Sequence, residues 1–367
     1  MKIILFANTD WYLYNFRLPL VRAIRATGHE LILLSPPGKY VGKIRGEGFD
    51  WRPLPLSRRG INPFEEWKSI RRISKLYRAE KPDLVHHFTI KSVLYGSLAA
   101  KRARVPRVVN AVTGMGYLFS THNLFTAFAR PIVKLLYRWL LRGTTVIFQN
   151  QRDLDVFLKQ RMAEKDASVL IPGSGVDIDH FSPGPTPEGP PIVLLPARML
   201  YDKGVAEFVE AARKLKMEKI NARFVLAGAS DPGNPSSIPE DQLNQWEQEG
   251  ILEWWGWQDD MAAVYRSAAI VCLPSYREGL AKSLIEAAAC GKPLIASDIP
   301  GCREVAREGV NGLLVPPKDA IALASAIRTL LESPEKMKIM GAASRKIAVE
   351  EYAAARIAAE TISIYNR

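Results

Sequence analysis

Only three of the 367 residues are cysteine, at 272, 290 and 302, an odd number without metal-ligand spacing. That excludes a disulfide framework and a cysteine-built zinc site, and it fits a reducing, cytoplasmic setting. Uninterrupted apolar runs of about 18 residues are missing as well, so no segment is expected to span a bilayer. The start, MKIILFANTD, resembles a secretory leader for only a few residues before Asp10 and reads better as a buried first strand. Zinc-finger spacing, an RNP signature and a long basic run are all lacking, which leaves nucleic acid unsupported as a partner.

The charge that is present is unevenly distributed. Residues 1–183 hold 29 Lys and Arg against 14 Asp and Glu, whereas residues 184–367 hold 21 against 24, so the first half carries all of the net charge of +12. A basic half beside a near-neutral one suggests an extended anionic partner, and an anionic membrane surface fits best. The division itself is visible at residues 183–191, PGPTPEGPP, where five prolines in nine positions read as a linker. Two domains, 1–183 and 184–367, are therefore expected.

In the first half, apolar runs at Ile3–Ala7, Glu30–Leu34, Leu84–Phe88, Val108–Val112 and Val146–Phe148 alternate with segments of helical period. Such alternation predicts a doubly wound parallel sheet with working loops at the carboxyl ends of its strands. Lys91, past one strand and ahead of a helix, is placed to meet an acceptor phosphate, and Arg17 can join it. His86 and His87 alternate across a strand end, so at most one is expected to face the ligand side. Leu124–Arg142 is amphipathic, with Arg130, Lys134, Arg138 and Arg142 beside Phe125, Phe128, Ile132, Leu136, Trp139 and Leu140. It is read either as a helix covering its own sheet or as an interfacial helix on anionic lipid. A second basic helix carries Lys68, Arg71, Arg72, Lys75 and Arg78.

The second half repeats the α/β pattern, with strands expected at Ile192–Ala197, Phe224–Gly228, Glu253–Trp257, Ala269–Leu273 and Leu294–Ser297. Arg198 and Lys203-Gly204 precede a helix beginning near Val205, which suits a diphosphate clamp. Trp254-Trp255-Gly256-Trp257 offers a stacking face and an accessible backbone to a flat base. The chain is organised around Leu273–Glu286, LPSYREGLAKSLIE, read as a strand end, a loop and a helix starting near Gly279. Glu278 and Glu286 can only accept hydrogen bonds, while the helix start attracts an anion, so the segment suits a ligand with both hydroxyls and phosphate. A sugar nucleotide is such a ligand.

Taken in order, Arg198, Lys203, the strand ending at Gly256, LPSYREG, and Glu278 with Glu286 resemble glycosyltransferase family four. The resemblance covers essentially the whole chain and implies a retaining enzyme of the GT-B fold, with two Rossmann-like domains facing a central cleft and the last helix able to return to the first domain. Asn15-Phe16-Arg17, Lys91-Ser92, Thr113-Gly114-Met115-Gly116 and Tyr276 look like a subgroup that adds N-acetylhexosamine to undecaprenyl-diphosphate-linked sugars. By this likeness Arg198 and Lys203 hold the donor diphosphate, Glu278 the donor sugar hydroxyls as the catalytic residue, and Glu286 the ribose. The Gly279 and Leu280 amides face phosphate or sugar, the Trp257 backbone meets the base, and Arg17, Lys91, Thr113 and Gly114 serve the acceptor. The implied partners are a UDP-sugar and a polyprenyl-diphosphate-linked saccharide at the inner face of the cell membrane, with no cofactor and no metal. The chain departs from the family pattern in having Asp10-Trp11-Tyr12 in place of a glycine-rich loop, and Thr113–Gly116 in place of a sugar-side histidine. Alternatives are a UDP-sugar epimerase of the same fold, a transferase with a soluble acceptor, and a metal-dependent transferase using Asp153-Leu154-Asp155 or Asp177-Ile178-Asp179.

Overall fold

Continuous apolar strands require cover on both faces, and both sheets of the protein receive it. The computed structural model describes residues 1–56, 62–113, 124–185 and 187–366, with backbone alone at Pro63 and 124–129. It divides into two units, Met1–Ser174 with Ala354–Arg367, and Gly175–Ala353.

The first unit carries β1 (Lys2–Phe6), β2 (Glu30–Ser35), β3 (Asp50–Pro53), β4 (Leu84–Phe88), β5 (Arg107–Val112), β6 (Thr145–Phe148) and β7 (Ser168–Leu170). They form one parallel sheet in the order β3-β2-β1-β4-β5-β6-β7. Its helices are α1 (Leu18–Ala26), α2 (Val41–Gly46), α3 (Pro63–Glu80), α4 (Ile90–Ala103), α5 (Leu124–Leu141) and α6 (Gln151–Lys159). Ile3, Leu5 and Leu33 pack with Val21 and Ile24 of α1 on one face, while Ile4, Phe6 and Ile32 pack with Ile73 and Tyr77 of α3 on the other. The edge strands β3 and β7 have no counterpart in the sequence reading, because four- and three-residue strands are too short to show a period.

The second unit carries β8 (Ile192–Pro196), β9 (Arg223–Ala227), β10 (Glu253–Trp254), β11 (Ile270–Leu273), β12 (Leu294–Ser297) and β13 (Gly312–Val315), in the order β10-β9-β8-β11-β12-β13. Around it lie α7 (Val205–Met217), α8 (Glu240–Gln248), α9 (Met261–Ser267), α10 (Lys282–Ala289), α11 (Pro300–Arg303), α12 (Ala320–Leu331) and α13 (Pro334–Tyr352). The strand β13 begins at Gly312, directly after Asn311, an Asn-Gly pair that by itself reads as a turn.

The division falls between Ser174 and Gly175 rather than at Pro183. Val176 N–H donates to the Tyr352 carbonyl at 2.8 Å, and Arg345 donates to the carbonyls of Ile178, Phe181 and Ala289. These bonds tie residues 176–181 into the second unit, so the proline run lies inside it. The final helix, α14 (Ala354–Tyr365), belongs to the first unit, where Ile357, Ala358, Ile364 and Tyr365 join the core beside α1.

Candidate active site

Both sheets reverse their strand order at one point, between β1 and β4 in the first unit and between β8 and β11 in the second. Loops leaving the carboxyl ends of strands diverge at such a point and open a crevice for ligand. Two of the expected site residues of the second unit meet at theirs.

Lys203 follows β8 and Glu278 follows β11, and the two side chains join across the switch point, with Lys203 Nζ 2.6 Å from Glu278 Oε1. Their side chains are 21% and 12% exposed, so the pair is shielded and directional without being sealed from a ligand. Ser275, fully buried, donates its hydroxyl to the same carboxylate oxygen at 2.8 Å. The Cys302 thiol lies near this pair; burial raises its pKa first, and the Glu278 charge raises it further while Lys203 opposes.

Two glycines permit this approach. Gly204 has φ +73°, and a Cβ there would sit 2.1 Å from the Pro274 carbonyl oxygen. A Cβ on Gly301 would sit 2.5 Å from the Glu278 carbonyl oxygen. The loop after β11 is thus clamped between the start of α7 and the start of α11, and Tyr276 N–H donates to the Asp202 carbonyl at 2.9 Å. Neither α7 nor α10 has a side chain capping its N-terminus, so both begin with amide groups suited to an anion.

The helix expected from Gly279 begins instead at Lys282, with Ala281 as its N-cap. Packing of Gly301 against the Glu278 and Gly279 carbonyls, with Ala281 N–H donating to the Gly301 carbonyl, keeps Gly279 and Leu280 in the loop. Glu286 therefore lies one turn into α10, where it accepts from the Tyr265 hydroxyl at 3.1 Å and lies 3.5 Å from Lys282 Nζ. Tyr265 is fully buried, and its hydroxyl pKa rises well above the usual range through burial, then the Glu286 charge.

Arg198 reaches away from the Lys203 pair to Asp231, 2.7 Å distant, with half its side chain exposed. Trp257 is exposed, with its indole N–H on Asp259 at 3.0 Å, whereas Trp254 donates to the Gly228 carbonyl. Gly228 N–H in turn bonds the Gly256 carbonyl at 2.8 Å, which fixes the backbone just before Trp257.

Sequence reasoning gave no role to the Tyr276 hydroxyl, which donates to Glu207 Oε1 at 2.6 Å and ties the signature loop to the first turn of α7. Burial and then Glu207 raise the Tyr276 pKa. The two residues stand 69 positions apart, and no local pattern announces the contact.

In the first unit, Arg17 ends a π-helical stretch, Leu13–Arg17, that follows β1. It is 5% exposed, donates to the Tyr12 hydroxyl at 2.6 Å, and lies 4.4 Å from the Phe88 ring centre. Lys91, in the first turn of α4, pairs with Glu66 of α3 at 2.7 Å. Thr113 directly follows β5 and is partly exposed, and Gly114 lies outside the described residues. Both histidines of β4 are buried, which lies within the expectation that at most one faces the ligand side. His86 Nδ1 meets the Tyr365 hydroxyl at 2.6 Å, and His87 meets Tyr77 and Asn110. Burial holds both rings neutral, with Arg17 as a further cause at His86 and the His87 pKa brought to about 4.

The aspartates weighed as metal ligands serve local structure. Asp153 Oδ2 accepts from the Asn150 amide, while Asp177 Oδ1 accepts the backbone N–H groups of Asp179 and His180.

Two doubly wound α/β units, one holding a Lys–Glu pair and two uncapped helix starts at its switch point, form an arrangement that suits a phosphate-bearing ligand. Residues 177–347 match the model of glycosyl transferases group 1, and residues 2–151 match that of glycosyl transferase 4-like proteins. The chain is 29% identical to N,N'-diacetylbacillosaminyl-diphospho-undecaprenol alpha-1,3-N-acetylgalactosaminyltransferase of Campylobacter jejuni, covering 100% of this chain and 99% of that one. It is 31% identical to alpha-maltose-1-phosphate synthase of Mycolicibacterium smegmatis over 80% of this chain and 81% of that protein. Among solved structures, Anabaena HepE in complex with UDP superposes with a TM-score of 0.82, at 18% identity and with full coverage of both chains. The chain belongs to this glycosyltransferase family and has its GT-B fold.

Proposed function

We propose that the protein is a retaining, metal-independent transferase that moves a hexose or N-acetylhexosamine from a UDP-sugar to a lipid-diphosphate-linked saccharide. The observation that carries this reading is the Lys203–Glu278 pair set across the β8–β11 switch point beside two uncapped helix starts. An ammonium group has three donors, so Lys203 can keep Glu278 and still meet a phosphate oxygen. The α7 N-terminus adds amides for the diphosphate, and Arg198 swings from its exposed pair with Asp231 to join them. Glu278 takes the sugar hydroxyls, with Gly279 and Leu280 offering backbone amides in the adjoining loop. Glu286, steadied by Tyr265 and Lys282, takes the ribose, and the backbone at Trp257 takes the base.

Transfer then requires an acceptor oxygen to bond the anomeric carbon as the carbon–oxygen bond to the diphosphate breaks. Lys203, Arg198 and the α7 amides stabilise the departing negative charge, and a phosphate oxygen takes the acceptor proton on the same face of the ring. Among the described residues no group of three or more His, Cys, Asp or Glu side chains could hold a metal ion.

The Campylobacter relative, matched end to end, supports a polyprenyl-diphosphate saccharide as acceptor. Arg17 and Lys91 follow the strands that border the first unit's switch point, β1 and β4, which favours the acceptor phosphates there, with Thr113 directly after β5 and Gly114 next to it in sequence. A lipid-linked acceptor calls for contact of the protein with the inner leaflet, and no helix among the described residues is long and apolar enough to cross a membrane. The test is a panel of labelled UDP-sugars with short-chain polyprenyl-diphosphate saccharides, with and without EDTA, and product anomeric configuration read by NMR. Transfer with retention in EDTA is expected. An inverted product, an EDTA-sensitive reaction, or epimerised donor without acceptor would each refute the reading.

A further inference from the structure

We propose that the outward face of α5 is a membrane-insertion surface that enters the acyl–headgroup boundary of an anionic bilayer. The reason for a membrane rests on the lipid-linked acceptor proposed above, but the surface is argued from α5 itself. Ile132, Leu135, Leu136 and Trp139 recur at i, i+3, i+4 and i+7, and they are 62%, 64%, 38% and 53% exposed. At 3.6 residues per turn they share about 100° of arc, a single stripe. The core-facing side of α5 is already filled. Tyr137 and Leu141 are buried with Val93, Val112, Phe148 and Phe157. Four large apolar side chains aligned in solvent on one helix exceed the scattered exposure usual on a soluble surface.

Charge selects what covers the stripe. Residues 124–141 contain no Asp or Glu, and Lys134, Arg138 and Arg142 run at four-residue steps along its border. Lys101 of α4 adds a cation 5.8 Å from the Trp139 ring and donates to the Arg142 carbonyl. A second copy docking here by a twofold axis would set this basic border against itself, whereas anionic lipid complements it.

A second patch lies on the same side of the sheet. Val108 packs with the cluster under α3 and Val112 with the cluster under α5, and side chains two apart on a strand point the same way. On α3, Phe64 and Trp67 are 60% and 45% exposed, with Lys68 and Arg71 over their rings. Aromatic rings with basic partners suit the headgroup level, so α3 and α5 present an amphipathic surface on either side of α4.

The test compares the full chain with I132S/L135S, using vesicles of phosphatidylcholine alone and of phosphatidylcholine with phosphatidylglycerol. Sedimentation measures partitioning, and quenching of tryptophan by brominated acyl chains measures depth. The wild type is expected to bind the anionic vesicles with quenching that W139F reduces. The double variant should partition about tenfold or more weakly, with an unchanged melting temperature and unchanged transfer to a water-soluble acceptor analogue. Equal partitioning of variant and wild type, or a concentration-dependent dimer abolished by the substitutions, would overturn the proposal. Stripe-dependent vesicle binding without sugar transfer would leave it standing and remove the transferase reading instead.

Discussion

Between β8 and β11 the second unit sets a lysine against a carboxylate, while between β1 and β4 the first unit sets an arginine against ring faces and one phenol. The strands in both places are parallel and apolar, and the loops leave from the same ends. What differs is how the cation is held before a ligand arrives. Lys203 has Glu278 as its counter-ion, so a donor must share it. No carboxylate pairs with Arg17 among the described residues, so a phosphate there would be its first anionic neighbour. Under the proposed function, one architecture thus supplies a pocket for hydroxyls and phosphate together and another suited to phosphate alone.

The comparison breaks most decisively at Glu278. E278Q should lower kcat at least about 100-fold, on the order of 3 kcal/mol of transition-state stabilisation, because a carboxylate that accepts from Lys203, Ser275 and the sugar is replaced by an amide. Steady-state kinetics with saturating donor measure this, and retention of full turnover would move the chemistry away from the second unit's switch point.

Acid should separate the units next. Folding brings His87 to about 4, below the value near 6.5 of an exposed ring, through burial. The unfolded chain therefore binds a proton that the folded chain excludes, and the contribution is intact above about pH 6.5 and lost progressively toward pH 4. The loss is on the order of 3 kcal/mol, and His86 acts in the same direction. Hydrogen exchange followed residue by residue between pH 7 and 5 should show β4 and β5 loosening before β8 and β11. The reverse order would show that the buried histidine pair does not govern acid stability.

A smaller effect sharpens the account of the second unit. Y276F removes a 2.6 Å bond to Glu207 and is expected to raise the donor KM about fivefold, near 1 kcal/mol, with little change in kcat, since the hydroxyl positions the loop without touching the reacting atoms. An unchanged KM would mean that Gly204 and Gly301 hold the loop unaided.

Much of this was readable from residue order, for physical reasons that also explain the gaps. Buried parallel strands must be apolar at consecutive positions, so β1, β2, β4, β8, β9, β11 and β12 announce themselves. The edge strands β3 and β7 are too short to do so, and β13 begins at a glycine that reads as a turn. Lys203, Glu278 and Glu286 could be named because, taken in order, they match the motifs of the family that the chain resembles, and cations and carboxylates there suit phosphate and hydroxyls. The long-range partners could not: Tyr265 reaches Glu286, Glu207 reaches Tyr276 and Asp231 reaches Arg198 only through tertiary packing, from 21, 69 and 33 residues away. The start of α10 was misplaced because Gly301, across the fold, holds Gly279 and Leu280 out of the helix.

The return of α14 to the first unit has a consequence for synthesis. Tyr365, which closes over His86, and Ile357, which fills the face beside α1, are translated only after the whole of the second unit. The unit whose sheet is translated first is therefore the unit completed last. Until α14 is made, a nascent chain would carry a complete second unit and a first unit whose buried imidazole still lacks its lid.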